Sequence, residues 1–280
     1  MSTRPYGKSR LNDRETERRM LEAAIALVHE RGMSTGLESL SFEDVIRDAQ
    51  VSRTSAYRRW PRREQFYGEV MLALARGTDL PTTAATMVGP TSELVERSGA
   101  NFSDPQGHRN LVVELLRLSI DADFDAMRSS RPWKTFSTLI ASHRGIADPA
   151  LLTQVADALA TVEQRAVELR ARAYGQFSAA LGYRLTPPLA GPDGFELMSQ
   201  STGSTMLGML IKEPLQQDEE EPSRSLRAFG SSELAVWRPA TYAVTAMVLS
   251  FIEPDPGIEW TTQRADDLLA TIRSYAPAAQ

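Results

Sequence analysis

The sequence predicts an all-α protein. Apolar residues recur at spacings of three and four along most of its 280 residues, the period of helices with one buried face. No stretch alternates apolar and polar residues as a half-buried strand would, and no internal repeat stands out. Ser, Asp and Gly punctuate the periodic segments where helix caps are needed.

The composition can build a core: 42% of residues are hydrophobic and 24% charged, with a formal charge of −5. The length suits one large domain or two modest ones. There is no cysteine. Disulfides and thiolate metal sites are therefore excluded, and a reducing cytoplasm is the expected compartment. No apolar run follows a basic start, so a signal peptide is not expected. The apolar run Ala240–Ile252 is shorter than the roughly 20 residues that span a bilayer. Charge is uneven: residues 1–64 hold 13 Lys/Arg against 10 Asp/Glu, and the remainder holds 18 against 26. Such asymmetry suggests a nucleic-acid-binding part joined to something else.

Residues 1–12 lack periodicity and carry Arg4, Lys8 and Arg10. They read as a frayed terminus or as a basic arm reaching phosphates or the minor groove. Asp13 suits the cap of a helix running to about Arg31, with Glu15 and Glu17 at the positive end of its dipole. Met20, Ala23, Ala24, Leu27 and Val28 form its apolar stripe, and Arg18 and Arg19 lie within reach of a phosphate. After a loop over 33–40, Ser41 caps a second helix whose buried face is Phe42, Val45, Ile46 and Ala49. Gln50-Val51-Ser52 is the turn, and the Ser52 hydroxyl can accept an otherwise free N–H of a third helix.

That third helix, Arg53 to about Trp60, opens the densest cationic stretch of the chain. Five arginines fall between 53 and 63 with no acid among them. Ala56 and Trp60, four apart, face inward, leaving Arg53, Thr54, Ser55, Tyr57, Arg58 and Arg59 on or near the exposed side. A helix fits the major groove with its N-terminal half at base edges. Thr54, Ser55 and Arg58 are thus the candidates for base reading, and Tyr57, Arg59 and Arg63 for phosphate contacts. Pro61 fits the start of a fourth helix, about Arg62 to Ala75, with Phe66, Val70 and Leu74 inside.

Residues 14–75 resemble the DNA-binding domain of the tetracycline-repressor (TetR) family of transcriptional regulators. The resemblance is carried by Ser41 opening the second helix, Val45-Ile46, Ala49, Val51-Ser52, Tyr57, Trp60 and Arg63. Gln50 and Thr54 stand where the family usually has glycine, and Arg59 where it often has histidine. The resemblance implies a helix-turn-helix domain over 13–77 contacting DNA through Ser41, Ser52, Arg53, Thr54, Ser55, Tyr57, Arg58, Arg59 and Arg63. It further implies a helical effector-binding and dimerisation domain over 78–280, a homodimer on a palindromic operator, and repression relieved by a small molecule.

Beyond Gly77, residues 78–91 read as a Thr/Pro/Gly-rich linker, with helices over 92–99, 106–127 and 132–143. Asp148 caps a long helix reaching Leu181, a spine for the second domain. Helices follow over 193–212, 239–251 and 262–275, with a polar linker over 213–231. Asp121, Asp123 and Asp125 alternate, but the glycine and closing glutamate of a calcium loop are absent, so no metal site is expected. Trp133, Phe136, Phe177, Met198, Met206, Met209, Trp237 and Met247 suit the lining of a pocket for an apolar or amphipathic effector. Each would serve equally as ordinary core. By resemblance, helices Pro239–Phe251 and Thr262–Tyr275 form the dimer interface.

Two other classes compete. A helical adaptor would use the arginines as a protein-binding patch. An enzyme is less supported, because His29, His108 and His143 sit in no ligand spacing and the P-loop, G-x-S-x-G and G-x-G-x-x-G patterns are missing. No cofactor is expected.

Overall fold

A computed structural model describes residues 12–31, 40–82, 84–98, 104–191, 193–212 and 223–276. The expected basic arm, apart from Asn12, and the loop over 33–39 lie outside them. Among the described residues the chain is mostly helical: α1 (Asp13–Arg31), α2 (Phe42–Asp48), α3 (Arg53–Arg59), α4 (Arg63–Arg76), α5 (Ala84–Ser98), α6 (Pro105–Ser129), α7 (Arg131–Ser142), α8 (Pro149–Ala180), α9 (Gly194–Lys212), α10 (Pro239–Phe251) and α11 (Thr262–Arg273). The described residues divide into two compact units. One is drawn from Met1–Asp79 and Arg131–Val162, the other from Leu80–Ser130 and Glu163–Gln280. The break after Asp79 lies close to the boundary read from sequence, but α7 and the first part of α8 join the N-terminal unit.

The core of the first unit is the one the helical stripes specify. Met20, Ala24, Phe42, Val45, Ala56, Trp60, Phe66 and Val70 are essentially inaccessible to solvent. Phe66 takes Phe42 and Trp60 edge-on, with ring centroids 5.0 Å away in each case. Such edge contacts add about 0.5–1.5 kcal/mol each beyond the area they bury. Phe136 and Leu139 of α7 are also fully buried, and α7 packs against α4.

In the second unit α10 packs on α6 and α9, and α5 packs on α6 and α11. Two antiparallel pairs of strands complete it. β1 (Tyr183–Leu185) pairs with β4 (Ile252–Pro254), and β2 (Arg224–Leu226) pairs with β3 (Ala235–Trp237). The sequence read as wholly helical because each strand has three residues, too few for an alternating pattern to register.

Several boundaries differ from those read off the sequence. Asn12, not Asp13, caps α1: its Oδ1 accepts the Glu15 N–H at 2.8 Å. α4 starts at Arg63 with Arg62 as its cap residue, so Pro61 precedes the helix instead of opening it. Helix α5 takes in Ala84–Thr91 of the expected linker, with Pro90 inside it. Part of the linker expected over 213–231 is β2. The long helix is as anticipated: the Asp148 carboxylate accepts the Ala150 and Leu151 N–H groups at 2.9 and 3.2 Å.

Candidate nucleic-acid interface

Helix α2 starts under Ser41, whose Oγ accepts the Asp44 N–H at 3.3 Å. It ends in a Schellman arrangement. The Gln50 N–H bonds the Arg47 carbonyl at 3.1 Å and the Val51 N–H bonds the Ile46 carbonyl at 3.2 Å. This closure requires a left-handed residue after the cap, and Gln50 supplies it with φ 54. Val51, 7% exposed, then turns inward. Ser52 caps α3 by accepting the Ser55 N–H at 3.1 Å. Side-chain and backbone hydrogen bonds, with Val51 buried between them, set the two short helices at a fixed turn.

The faces of α3 follow from its pitch. Ala56 and Trp60 are fully buried. Arg53, Thr54, Tyr57 and Arg58 are exposed, as are Ser41, Ser52, Arg62 and Arg63 nearby. Ser55 departs from the expectation. It is 7% exposed, and its hydroxyl accepts from Ser52 at 2.9 Å, so it closes the cap instead of facing outward.

Carboxylates flank this helix on both sides. On the α2 side, Glu43 binds Arg53 Nε at 2.9 Å and accepts the Tyr57 hydroxyl at 3.0 Å. Tyr57 in turn accepts from Arg63 at 3.3 Å, a bond that, with nearby charges, holds the Arg63 guanidinium above its ordinary pKa. On the α1 side, Arg58 meets Asp13 at 2.5 Å. Arg59, expected on phosphates, lies part-buried between Glu17 at 3.2 Å and Glu69 at 3.1 Å. Its guanidinium carbon stands 4.9 Å from the Trp60 ring centroid. Arg18 and Arg19 are also engaged within α1, both on Glu15 at 2.6 Å. Their hydrogen bonds hold the Glu15 carboxyl down to about 2.

The pairing of these acids with the arginines of α3 was not anticipated from the sequence. Asp13, Glu17 and Glu43 stand in or beside the first turns of helices, where the dipole already accounts for an acid. Their pairings with α3 span ten to forty-five residues, beyond any helical spacing rule. A cleft of about 670 Å³ in the same unit is lined partly by Arg58, Arg59, Glu17, Glu69 and Arg76. None of the eight expected pocket residues lines it.

Those eight residues fall in both units. Trp133 and Phe136 meet edge-on at 6.1 Å in the first unit, while the other six belong to the second. Phe177 stacks on Tyr275 at 5.3 Å. Trp237 forms a small core with Val113 and Ala228. Met198 and Met206 are buried, Met209 half-buried, and Met247 accepts a weak bond from Thr205 of α9 at 3.5 Å. The apolar faces of α10 (Val244, Val248) and α11 (Ala265, Leu268, Ile272) are buried inside the chain.

The aspartate triplet lies within α6. Asp125 binds Arg238 at 2.8 Å, and Asp121 binds Arg117 at 3.2 Å and also the Thr241 hydroxyl. Among the described residues no group of three His, Cys, Asp or Glu could hold a metal, and no helix is long and apolar enough to cross a membrane.

No protein-family model matches the chain, and no curated protein matches it.

Proposed function

We propose that the protein is a ligand-responsive transcriptional regulator of the tetracycline-repressor kind, acting as a repressor. It binds a palindromic operator as a homodimer through α3, in the cytoplasm and on the nucleoid. The observation that carries this reading is the outward face of α3. Thr54, Tyr57 and Arg58 are exposed there, beside Arg53 and Arg63, on a short helix braced by α2. A helix of that width enters the major groove, where its side chains meet base edges while flanking cations take phosphates.

One such helix buries little surface, so two copies on half-sites a helical turn or more apart are the economical arrangement. The outer sides of α10 and α11 are the assigned contact between them. The second unit holds a small apolar or amphipathic effector among its Met and aromatic residues. An effector that prefers the DNA-free arrangement lowers operator affinity. No catalytic step or cofactor is assigned.

One observation favours a second reading. Arg53, Arg58 and Arg59 are already met by carboxylates of their own chain, which leaves less free positive charge for DNA and suits a helical adaptor.

Selection of random duplexes by the purified protein separates the two readings. Recovery of a palindrome, bound with an affinity that falls steeply with salt, supports the regulator. Absence of duplex binding at low salt overturns it in favour of the adaptor.

A further inference from the structure

We propose that Glu43 is a positioning residue of the DNA interface; the assignment rests on the reading just given. Glu43 is the second residue of α2, and its side chain is 36% exposed. Its two oxygens are divided between two residues of α3. Oε2 takes Arg53 Nε at 2.9 Å, and Oε1 takes the Tyr57 hydroxyl at 3.0 Å. The chain of bonds continues, because Tyr57 accepts from Arg63 of α4 at 3.3 Å. The Tyr57 ring is itself held edge-on to Phe42, the neighbour of Glu43, at 5.3 Å. One carboxylate therefore orients three exposed side chains that belong to two helices.

The gain from this arrangement is entropic. Arg53 is 76% exposed, and an unrestrained arginine loses much of its rotamer freedom when it docks. A fixed acid at its base removes part of that loss before DNA arrives. The Tyr57 hydroxyl gives its one proton to Glu43 while its oxygen accepts from Arg63, so the acid fixes the rotor that Arg63 binds. Removing the acid frees that proton and loosens Arg63. Glu43 also carries a cost, since its charge repels phosphates. The two effects act on different readouts: Arg53, in the N-terminal half of α3 that meets base edges, governs the discrimination between sequences, whereas Tyr57 and Arg63 on phosphates, with the charge of Glu43, govern affinity for all of them.

The test measures binding of wild type, Glu43→Ala and Glu43→Gln to a selected duplex and to an unrelated one, at several salt concentrations. Glu43→Ala lowers the ratio of the two affinities about tenfold, while binding to the unrelated duplex is unchanged or tighter. Glu43→Gln keeps an acceptor for Tyr57, retains most of the ratio and tightens both complexes. In the DNA-free protein, NMR of arginine Nε–Hε groups loses the ordered signals of both Arg53 and Arg63 in Glu43→Ala. Equal affinity ratios in wild type and Glu43→Ala overturn the assignment while leaving DNA recognition standing. Identical behaviour of Ala and Gln shows a charge effect only and also overturns it, as does a response of Arg53 without Arg63. Wild type that binds neither duplex overturns the DNA reading and the role of Glu43 together.

Discussion

Arg58 of α3 donates to Asp13 of α1 at 2.5 Å, joining two residues 45 positions apart. The pair is solvent-exposed, with side chains 46% and 65% accessible, and exposed ion pairs hold by only about 0–1 kcal/mol. A competing base edge or phosphate can therefore take Arg58 from Asp13. Asp13→Asn is expected to tighten duplex binding a few-fold. Arg58→Ala is expected to relax sequence preference, at about 1–3 kcal/mol for the base it reads. Titration against a panel of single-base variants checks both; an unchanged preference profile in Arg58→Ala removes Arg58 from base reading.

Arg63 is exposed at the first turn of α4, where it bonds the Tyr57 hydroxyl. Arg63→Ala is expected to weaken all duplexes about equally and to lower the salt slope by about 1. A loss confined to one sequence class in the same titration would reassign Arg63 to base reading.

Gln50 holds φ 54 at the end of α2. A left-handed residue with a Cβ costs roughly 1–2 kcal/mol, part of which glycine returns as unfolded-state freedom. Gln50→Gly is expected to stabilise the protein by about 0.5–1 kcal/mol. Gln50→Val, branched at Cβ, is expected to destabilise it by more than that. Urea midpoints decide the signs, and a destabilised Gln50→Gly would mean that the glutamine side chain itself holds the turn.

His108 lies near the start of α6, stacked on Trp260 at 4.0 Å and beside Tyr183. Burial lowers its pKa below the ordinary 6.5, the backbone of Leu181 opposes the shift and the Arg109 charge adds to it. The unfolded chain thus binds a proton at higher pH than the folded one. The stabilising contribution of neutral His108 is complete above 6.5 and is lost as pH falls through the lowered folded value. Thermal midpoints from neutral pH to about 5 should therefore fall more for wild type than for His108→Gln. Parallel curves would remove His108 from the acid response.

Much of the first unit could be read before folding, because its determinants are local. Ser41 and Ser52 each lie three residues from the N–H they cap. Phe42, Val45, Ile46, Ala56, Trp60, Phe66 and Val70 reach the core at helical spacings. Ser55 escaped this reading because, three residues along, it turns to meet the cap of its own helix. The three-residue strands lack enough length to declare a period. Of the eight apolar pocket candidates, Trp133 and Phe136 belong to one unit and the other six to the other, a division that composition alone does not show.

The mostly helical fold, the caps of α2, α3 and α8, and the inner face of α3 are written along the chain. Each depends on contacts within about one or two helical turns. The company kept by the arginines comes instead from packing. Glu43, Asp13, Glu17 and Glu69 meet them across separate helices. Charge has no period along a chain, and its partners are set by which helices pack side by side.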